Sequence, residues 1–351
     1  MKRFFAILSL LFLGLSVMAQ DVTLKVSGML LTRYRYTANE TPSNTFSIRT
    51  ARVQFGGRVF DDFAYNLQFK MDGTANSING PRLLEASVEW QKYKSFRIKV
   101  GQMKRGFGFE TLMSPIYQGF YRQGMAIYKL AGYSDRVGEQ SCTGRDFGVM
   151  VQGDLFELED RNLAHYMVGI YNGQGINVPD LNESKDVIGG LWVSPVKDMR
   201  IGASGWLGRY GRKFEGDYAE VDRNRYALSF EYKPGDWTLR SEYVHSNGMA
   251  FKNPYGGNLD LDTDLGDKAD AWYALMIAPL IPETFHAKLR YDVYRDNGAW
   301  NRAYNAYDFG LDWCFSYNLI LSAVGTYIND RRLAADHHNF FMFDLQMSLR
   351  F

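Results

Sequence analysis

Apolar and polar residues alternate with a period of two along most of this chain. In LKVSGMLLTRYRY, Leu24, Val26, Gly28, Leu30, Thr32, Tyr34 and Tyr36 share one face, while Lys25, Ser27, Arg33 and Arg35 share the other. RTARVQFGGRV sets Ala51, Val53, Phe55, Gly57 and Val59 against Arg52, Gln54 and Arg58. FAYNLQFKM sets Phe63, Tyr65, Leu67, Phe69 and Met71 against Asn66, Gln68 and Lys70. The last residues, FFMFDLQMSLRF, oppose Phe341, Phe343, Leu345, Met347, Leu349 and Phe351 to Met342, Asp344, Gln346, Ser348 and Arg350. About sixteen such strands are predicted, and no helix longer than a turn or two. Two of them, LWVSPV and ILSAVGTYI, are apolar on both faces.

A strand with one apolar face either buries it against a second sheet or turns it to lipid. The connections separate these cases. Brief ones near 60–62, 93–95, 196–199, 233–236 and 316–318, with somewhat longer ones near 154–161 and 279–283, alternate with long ones. The long ones fall near 37–45, 73–81, 104–143, 172–185, 210–223, 247–269, 296–304 and 330–338. In an up-and-down antiparallel barrel every second connection lies on the same rim, so the alternation predicts one rim of turns and one of loops. Lipid offers no water to backbone N–H and C=O groups, so such a sheet must close, with Phe351 beside the first strand. The expected fold is therefore all-β: a transmembrane antiparallel barrel of about sixteen strands around an aqueous lumen, with the longest loop, 104–143, folded toward that lumen.

Composition fits this picture. Mean hydropathy is −0.30 although 46% of residues are hydrophobic, because 24 Phe and 23 Tyr are dispersed among charges and glycines. Lys2 and Arg3, the apolar run from Phe4 to Val17 and the small residues before Gln20 have the layout of a secretory signal peptide. Residues 1–19 are expected to be removed, leaving 20–351 as one barrel domain. Removing Lys2 and Arg3 takes the formal charge from +1 to −1, which predicts no nucleic-acid partner. Cys142 and Cys314 are the only cysteines; two make no framework and no metal site.

No nucleophile elbow, zinc motif or paired-cysteine pattern is present, so neither a catalytic group nor a cofactor or metal is predicted. An outer-membrane hydrolase whose Ser and His meet only in space is the remaining enzymatic alternative. Asp260, Asp262 and Asp264 resemble the start of a calcium loop, but Gly266 falls one place late and Ala271 stands where a glutamate is needed. The loop reads as a solvated acidic surface, near lipopolysaccharide. Local charge is more informative. Lys25, Arg33, Arg35, Arg52 and Arg58 lie opposite the apolar stripe, on the expected lumen face; Arg49 breaks the parity and is expected at the rim. The third loop adds Lys104, Arg105 and Arg122. Guanidinium and ammonium groups along a bore favour anions. Arg52, Arg58, Lys104 and Arg105 are the expected narrow zone, with Lys25, Arg33, Arg35, Lys70 and Arg122 along the path. A general diffusion pore is the alternative, with Glu85, Glu89, Asp292, Asp308, Asp312 and Asp344 as opposing lumen acids.

Several segments carry a family likeness. FSIRTARVQFGGRVFDDFAYNLQFKMD, GQMKRGFGFE, GRDFGVMVQGDL and YMVGIYNGQGIN resemble, in order, segments of the phosphate-selective porin O and P family. The resemblance implies a sixteen-stranded, usually trimeric outer-membrane channel for small anions, phosphate among them. It casts Arg49 and Arg52 as the second-strand basic pair and Lys104 as the lysine before the third loop. It also implies that the aromatic C-terminus is read by the barrel assembly machinery. Thr50 stands where the family often has a second arginine, and Gly106 where it has proline, which argues against strict phosphate selectivity.

Overall fold

The computed structural model describes residues 22–72, 81–138 and 143–351. The expected signal segment, residues 1–19, and Cys142 lie outside them. Eighteen strands follow one another: Lys25–Thr37 (β1), Ser43–Val59 (β2), Phe63–Lys70 (β3), Arg82–Tyr93 (β4), Phe96–Lys104 (β5), Arg145–Glu157 (β6), Asn162–Tyr171 (β7), Asp186–Val193 (β8), Met199–Leu207 (β9), Arg209–Phe214 (β10), Asp217–Asp222 (β11), Asn224–Tyr232 (β12), Thr238–Asn247 (β13), Lys268–Ile281 (β14), Phe285–Arg295 (β15), Ala303–Ser316 (β16), Leu319–Asp330 (β17) and Asn339–Arg350 (β18). Sixteen of them form one closed antiparallel barrel in which strands pair in sequence order, except that β9 pairs with β12, and β18 pairs with β1. No helix among the described residues is long and apolar enough to cross a membrane.

Closure is made by the terminal residue. The Gly28 amide donates to the Phe351 carbonyl (2.8 Å), and the Phe351 amide donates back to the Gly28 carbonyl (3.1 Å). From there β1 and β18 stay in register, Met29 opposite Arg350 through Thr37 opposite Met342. The Phe351 ring lies over Gly28 so closely that a Cβ there would sit 2.5 Å from the ring and 2.7 Å from the Arg52 carbonyl.

The predicted faces hold. Val88, Val168, Leu228, Leu289 and Phe309 are each about half exposed on the outside of the ring, whereas Glu85, Ser229, Arg290 and Asp308 on the opposite face are buried inside. A continuous apolar band of this kind in water would exceed the few hundred Å² a soluble monomer exposes; in hydrocarbon it costs nothing. The two-sheet alternative fails because these apolar faces do not meet one another. Near the loop-side rim Tyr243 meets Tyr226 on β12, and farther round Trp272, Tyr291, Tyr307 and Tyr327 pack ring to ring across β14 to β17. Trp90, Tyr93 and Phe96 cluster at the turn side, as aromatic girdles do.

Four connections differ from expectation. β6 runs on to Glu157 and β14 to Ile281, so both turns are tighter than the intervals near 154–161 and 279–283. The first loop shrinks to residues 38–42 because β2 starts at Ser43. The interval 210–223 is largely strand: β10 and β11 pair as a hairpin outside the barrel ring. Glu215 and Gly216 both have positive φ at its tip, the twist that two-residue hairpins favour.

Replacing Gly28 by valine should displace Phe351 and the β1–β18 seam. We expect a loss of about 1–3 kcal/mol, measured as an earlier urea midpoint of the refolded barrel; an unchanged midpoint would show that the seam tolerates a side chain.

Candidate functional site

The described residues between β5 and β6, 105–138 with 143 and 144, do not lie over the outer surface. Their side chains and amides bond to the inward face of the far wall. Glu242 on β13 accepts from the amides of Phe109 (2.6 Å) and Glu110 (2.8 Å), and also from Ser229 Oγ (2.7 Å) and the Tyr273 hydroxyl (2.8 Å). Gly108 bends the chain onto this clamp with φ +67°, where a Cβ would stand 2.8 Å from Glu242 Oε2. Arg122 bridges Asp292 on β15 (2.6 Å) and Asp308 on β16 (2.7 Å). Asp292 also caps the short helix Met125–Leu130 (α1) by accepting from the Met125 amide (3.0 Å). Asp135 binds both ends of the Arg225 guanidinium (2.7 and 2.6 Å), and Arg136 donates to the carbonyls of Gly248 and Gly266. Apolar contacts complete the anchor: Phe107 stands edge-on to Trp206 and Phe109 edge-on to Trp192, both at 5.5 Å.

The near wall, β1 to β3, is different. Register between β1 and β2 slips at Leu31/Thr32, leaving Arg49 as the extra residue of a β-bulge. The slip turns Arg49 and Thr50 inward together, while Ile48 on one side is exposed to lipid. Arg49 is therefore not at the rim: it lines a cavity of about 130 Å³ with Tyr121 and Phe120. Its guanidinium lies 4.4 Å from the centre of the Tyr121 ring, and that of Arg33 lies 5.2 Å from the same ring. Arg52 is buried, and its Nε has no hydrogen-bond partner. Among the described residues no carboxylate lies within 4.0 Å of Arg33, Arg49 or Arg52. A second cavity, of about 440 Å³, extends from Arg52 toward Lys99, Lys104 and Trp192.

The predicted site residues divide sharply. Arg49 lines the smaller cavity with Arg33 across the Tyr121 ring from it, and Arg52 and Lys104 line the larger, although the Lys104 ammonium donates to the Met113 carbonyl (2.5 Å) and so braces the loop. Lys70 also faces inward and pairs with Asp72 (3.0 Å). Arg35 is held bidentately by Asp344 (2.7 and 2.8 Å). Lys25 and Arg58 are exposed toward the turn end of their strands, away from the narrow zone expected for Arg58. Arg105 and Arg122 must be withdrawn as anion ligands. Arg105 is fully buried, paired with Asp146 (2.7 Å) and stacked on Trp206, and Arg122 is spent on two carboxylates. A cation already neutralised by buried acids has little charge left to offer a passing ion.

Three neighbours went unread in the sequence. Arg145, at the start of β6, binds Glu85 (2.6 Å) and Gln68 (2.9 Å) at the cavity edge. Lys99 lies on the inward face of β5, and its alternation with Ile98 and Val100 was the available signal. Tyr121 had no signal: only the fold of the loop brings it to the arginines.

Two loop groups have displaced titrations. Burial pushes the Tyr121 hydroxyl up to about 12, against the pull of Arg49 and Arg33. Burial also raises the Glu110 carboxyl to about 7, with Glu242 adding to the rise and Arg240 and Arg290 opposing it. Both Glu110 oxygens lack a hydrogen-bond partner.

A closed barrel of sixteen antiparallel strands, apolar outside, charged within and entered by its longest loop, has the architecture of an outer-membrane porin. Residues 31–165 match the sequence profile of the family described as phosphate-selective porin O and P, which takes in the first three of the segments quoted above; the fourth, 166–177, lies just beyond it. The fold as a whole is similar to an anion-selective porin from Comamonas acidovorans, at 13% identity and TM-score 0.65, covering 94% of this chain and 99% of that one. It is similar also to the trimer form of Vibrio cholerae OmpT (13%, TM-score 0.61, covering 95% and 100%) and to Salmonella typhi OmpF in complex with daunomycin (12%, TM-score 0.65, covering 93% and 97%). Comparison with curated proteins finds no match.

Asp135→Asn should leave Arg225 buried without its counter-charge. A cost of about 3–5 kcal/mol is expected, read as a lowered urea midpoint together with noisier single-channel current as the loop loosens. A midpoint like that of the wild type would mean the pair does not anchor the loop. Glu110 gives a pH dependence. Its folded value, about 7, lies above the ordinary 4.5, so between those values the folded chain binds more protons and stability falls as pH rises. The wild-type urea midpoint should therefore drop from pH 5 to pH 8, and Glu110→Gln should remove that part of the slope; identical slopes would exclude Glu110 as its source.

Proposed function

We propose that this protein is an anion-preferring porin that lets small anions, phosphate among them, cross the outer membrane of a Gram-negative bacterium down their gradients, without covalent chemistry. One observation carries the reading: among the described residues Arg33, Arg49 and Arg52 have no carboxylate within 4.0 Å, and Arg33 and Arg49 lie against the Tyr121 ring. In a general diffusion pore, acids of the constriction loop oppose the basic wall. Here the described loop acids go elsewhere, Asp135 to Arg225 and Glu110 behind the loop toward Glu242; Glu139 lies outside the described residues. A neutral phenol facing Arg33 and Arg49 adds no negative charge to oppose them, and low-dielectric walls concentrate the field that remains.

The matched family's description and the Comamonas neighbour's name support the same reading. Thr50 tempers it. Its hydroxyl donates to Asp72 (3.3 Å), so an acid stands at the edge of the basic wall where a second guanidinium would have stood. The reading is accordingly a preference for anions, with phosphate bound no more than moderately. On this view residues 1–19 direct export. The strand ending in Phe351 is read by the barrel assembly machinery, the apolar band meets outer-membrane lipid with lipopolysaccharide around the loops, and the working unit is a homotrimer, as in the trimer form of the Vibrio neighbour.

Reversal potentials in planar bilayers under a KCl gradient test this. The wild type should show chloride preference. The triple change Arg33→Ala, Arg49→Ala, Arg52→Ala should lower the anion-to-cation permeability ratio roughly three- to tenfold, whereas Arg58→Ala at the exposed rim should leave it nearly unchanged. Cation preference in the wild type, or a ratio indifferent to the triple change, would reject the reading.

A further inference from the structure

The 440 Å³ cavity below the arginines has two chemically different walls. On one side stand Arg52 and Lys99 with the amides of Gln54, Asn66, Gln68 and Gln152. Neighbouring cations are occupied, Arg145 by Glu85 and Lys104 by the Met113 carbonyl. Arg52, which lines this space, is only 7% exposed, and its buried Nε has no partner. The other side is Met29, Leu112, Met150, Met167 and Trp192.

That second wall is not what a path for hydrated inorganic ions requires. Met150, Met167 and Trp192 occupy inward positions on β6, β7 and β8, where polar residues would be better solvated by water in the bore. Glycines are the cross-strand partners of both methionines, Gly169 of Met150 and Gly190 of Met167, and both sulfurs lie near Gly106 of the loop, so small residues leave the thioethers room beside the cavity. The Trp192 indole is fixed in place: His165 stacks on it at 4.1 Å and 17°, and His165 is in turn held by Asp154 (2.5 Å). Phe109 packs against it edge-on, with the Arg200 guanidinium 4.1 Å over the Phe109 ring. A rigid indole beside adaptable thioethers is a surface for an aromatic or aliphatic body, and the volume suits a small organic molecule.

We propose that this cavity binds organic anions in transit, molecules with a phosphate or carboxylate head on an apolar, especially aromatic, body. The head is held by Arg52 and Lys99, and the body lies on Met150, Met167 and Trp192. This rests on the anion-preferring reading and names its substrate class. Inorganic phosphate can use only the first wall; an aryl phosphate uses both.

The test uses the full-length refolded protein in planar bilayers, with phenyl phosphate and inorganic phosphate as blockers of chloride current. Phenyl phosphate should reach half-block at about a tenfold lower concentration than inorganic phosphate. Trp192→Ala should bring the two concentrations together, and so should Met150→Gln, which keeps the side chain's length should the indole prove necessary for folding. Arg52→Ala should weaken both blockers. Equal half-block by the two probes in a wild-type channel that prefers chloride would overturn this inference and leave the anion pore standing. A tenfold difference untouched by both Trp192→Ala and Met150→Gln would overturn the site. A cation-preferring wild type would defeat the underlying reading itself, and is seen in the reversal potential before any blocker is added.

Discussion

In hydrocarbon nothing competes for a backbone N–H or C=O, and every strand that crosses must find both partners in another strand. For a single chain that condition is met only when the last strand returns to the first, so the pair of bonds between Gly28 and Phe351 begins the seam on which the whole ring depends. The same condition sorts the side chains. Apolar residues can face out, and nearly every charge on a strand must then face in, where sixteen strands crowd guanidinium and carboxylate groups into one bore. Charges so crowded neutralise one another: Arg105 with Asp146, Arg223 with Asp186, Arg225 with Asp135, Arg290 with Asp308. Desolvation makes a lone charge there expensive, and pairing offsets most of that expense.

Pairing is not uniform around the ring. From β12 to β16 the inward charges are consumed in clamping the loop, through Glu242, Arg225, Asp292 and Asp308. On β1 and β2, among the described residues, Arg33 and Arg49 lie on the Tyr121 ring and Arg52 has no carboxylate within 4.0 Å, while Arg35 is held by an acid, Asp344. The loop is therefore both lid and sink. By drawing its own acids and those of the far wall into buried pairs, it leaves the near wall with uncompensated positive charge. On the proposed reading, selectivity comes from where negative charge has been withdrawn as much as from where positive charge is placed.

The strands were legible because period two is imposed by the pleat and by the two solvents; a strand that violated it would put charge in lipid. The rim asymmetry was legible for a topological reason, and Phe351 for the same one. The pairing of cations was not. Arg105 and Arg122 look like Arg33 in the sequence, but their partners lie 41, 170 and 186 residues away, and only closure brings them together. The hairpin of β10 and β11 was hidden differently. Its Glu215-Gly216 turn is an ordinary hairpin signal, passed over because the alternation of rims already accounted for that interval as a loop. Tyr121 shows the remaining limit: nothing local marks a loop residue as the one that will face a guanidinium pair.

Arg49 is the instructive error. Strict alternation cannot place consecutive residues in the lumen, so a basic residue one step out of phase with Arg52 reads as a rim residue. The bulge removes the contradiction, since two residues of β2 stand opposite one of β1 and the parity of the strand changes there. Phe46 and Ile48, even-numbered, face lipid above it, whereas Val53 and Phe55, odd-numbered, continue the lipid face below. The bulge thus gives the bore three close polar positions, 49, 50 and 52, on a strand that would otherwise provide two. Two consecutive arginines at 49 and 50, the pattern that the family resemblance implies, would both turn inward on this bulge. In this chain the geometry is kept while Thr50 fills the middle position, so the scaffold for a third guanidinium is present and the charge is not.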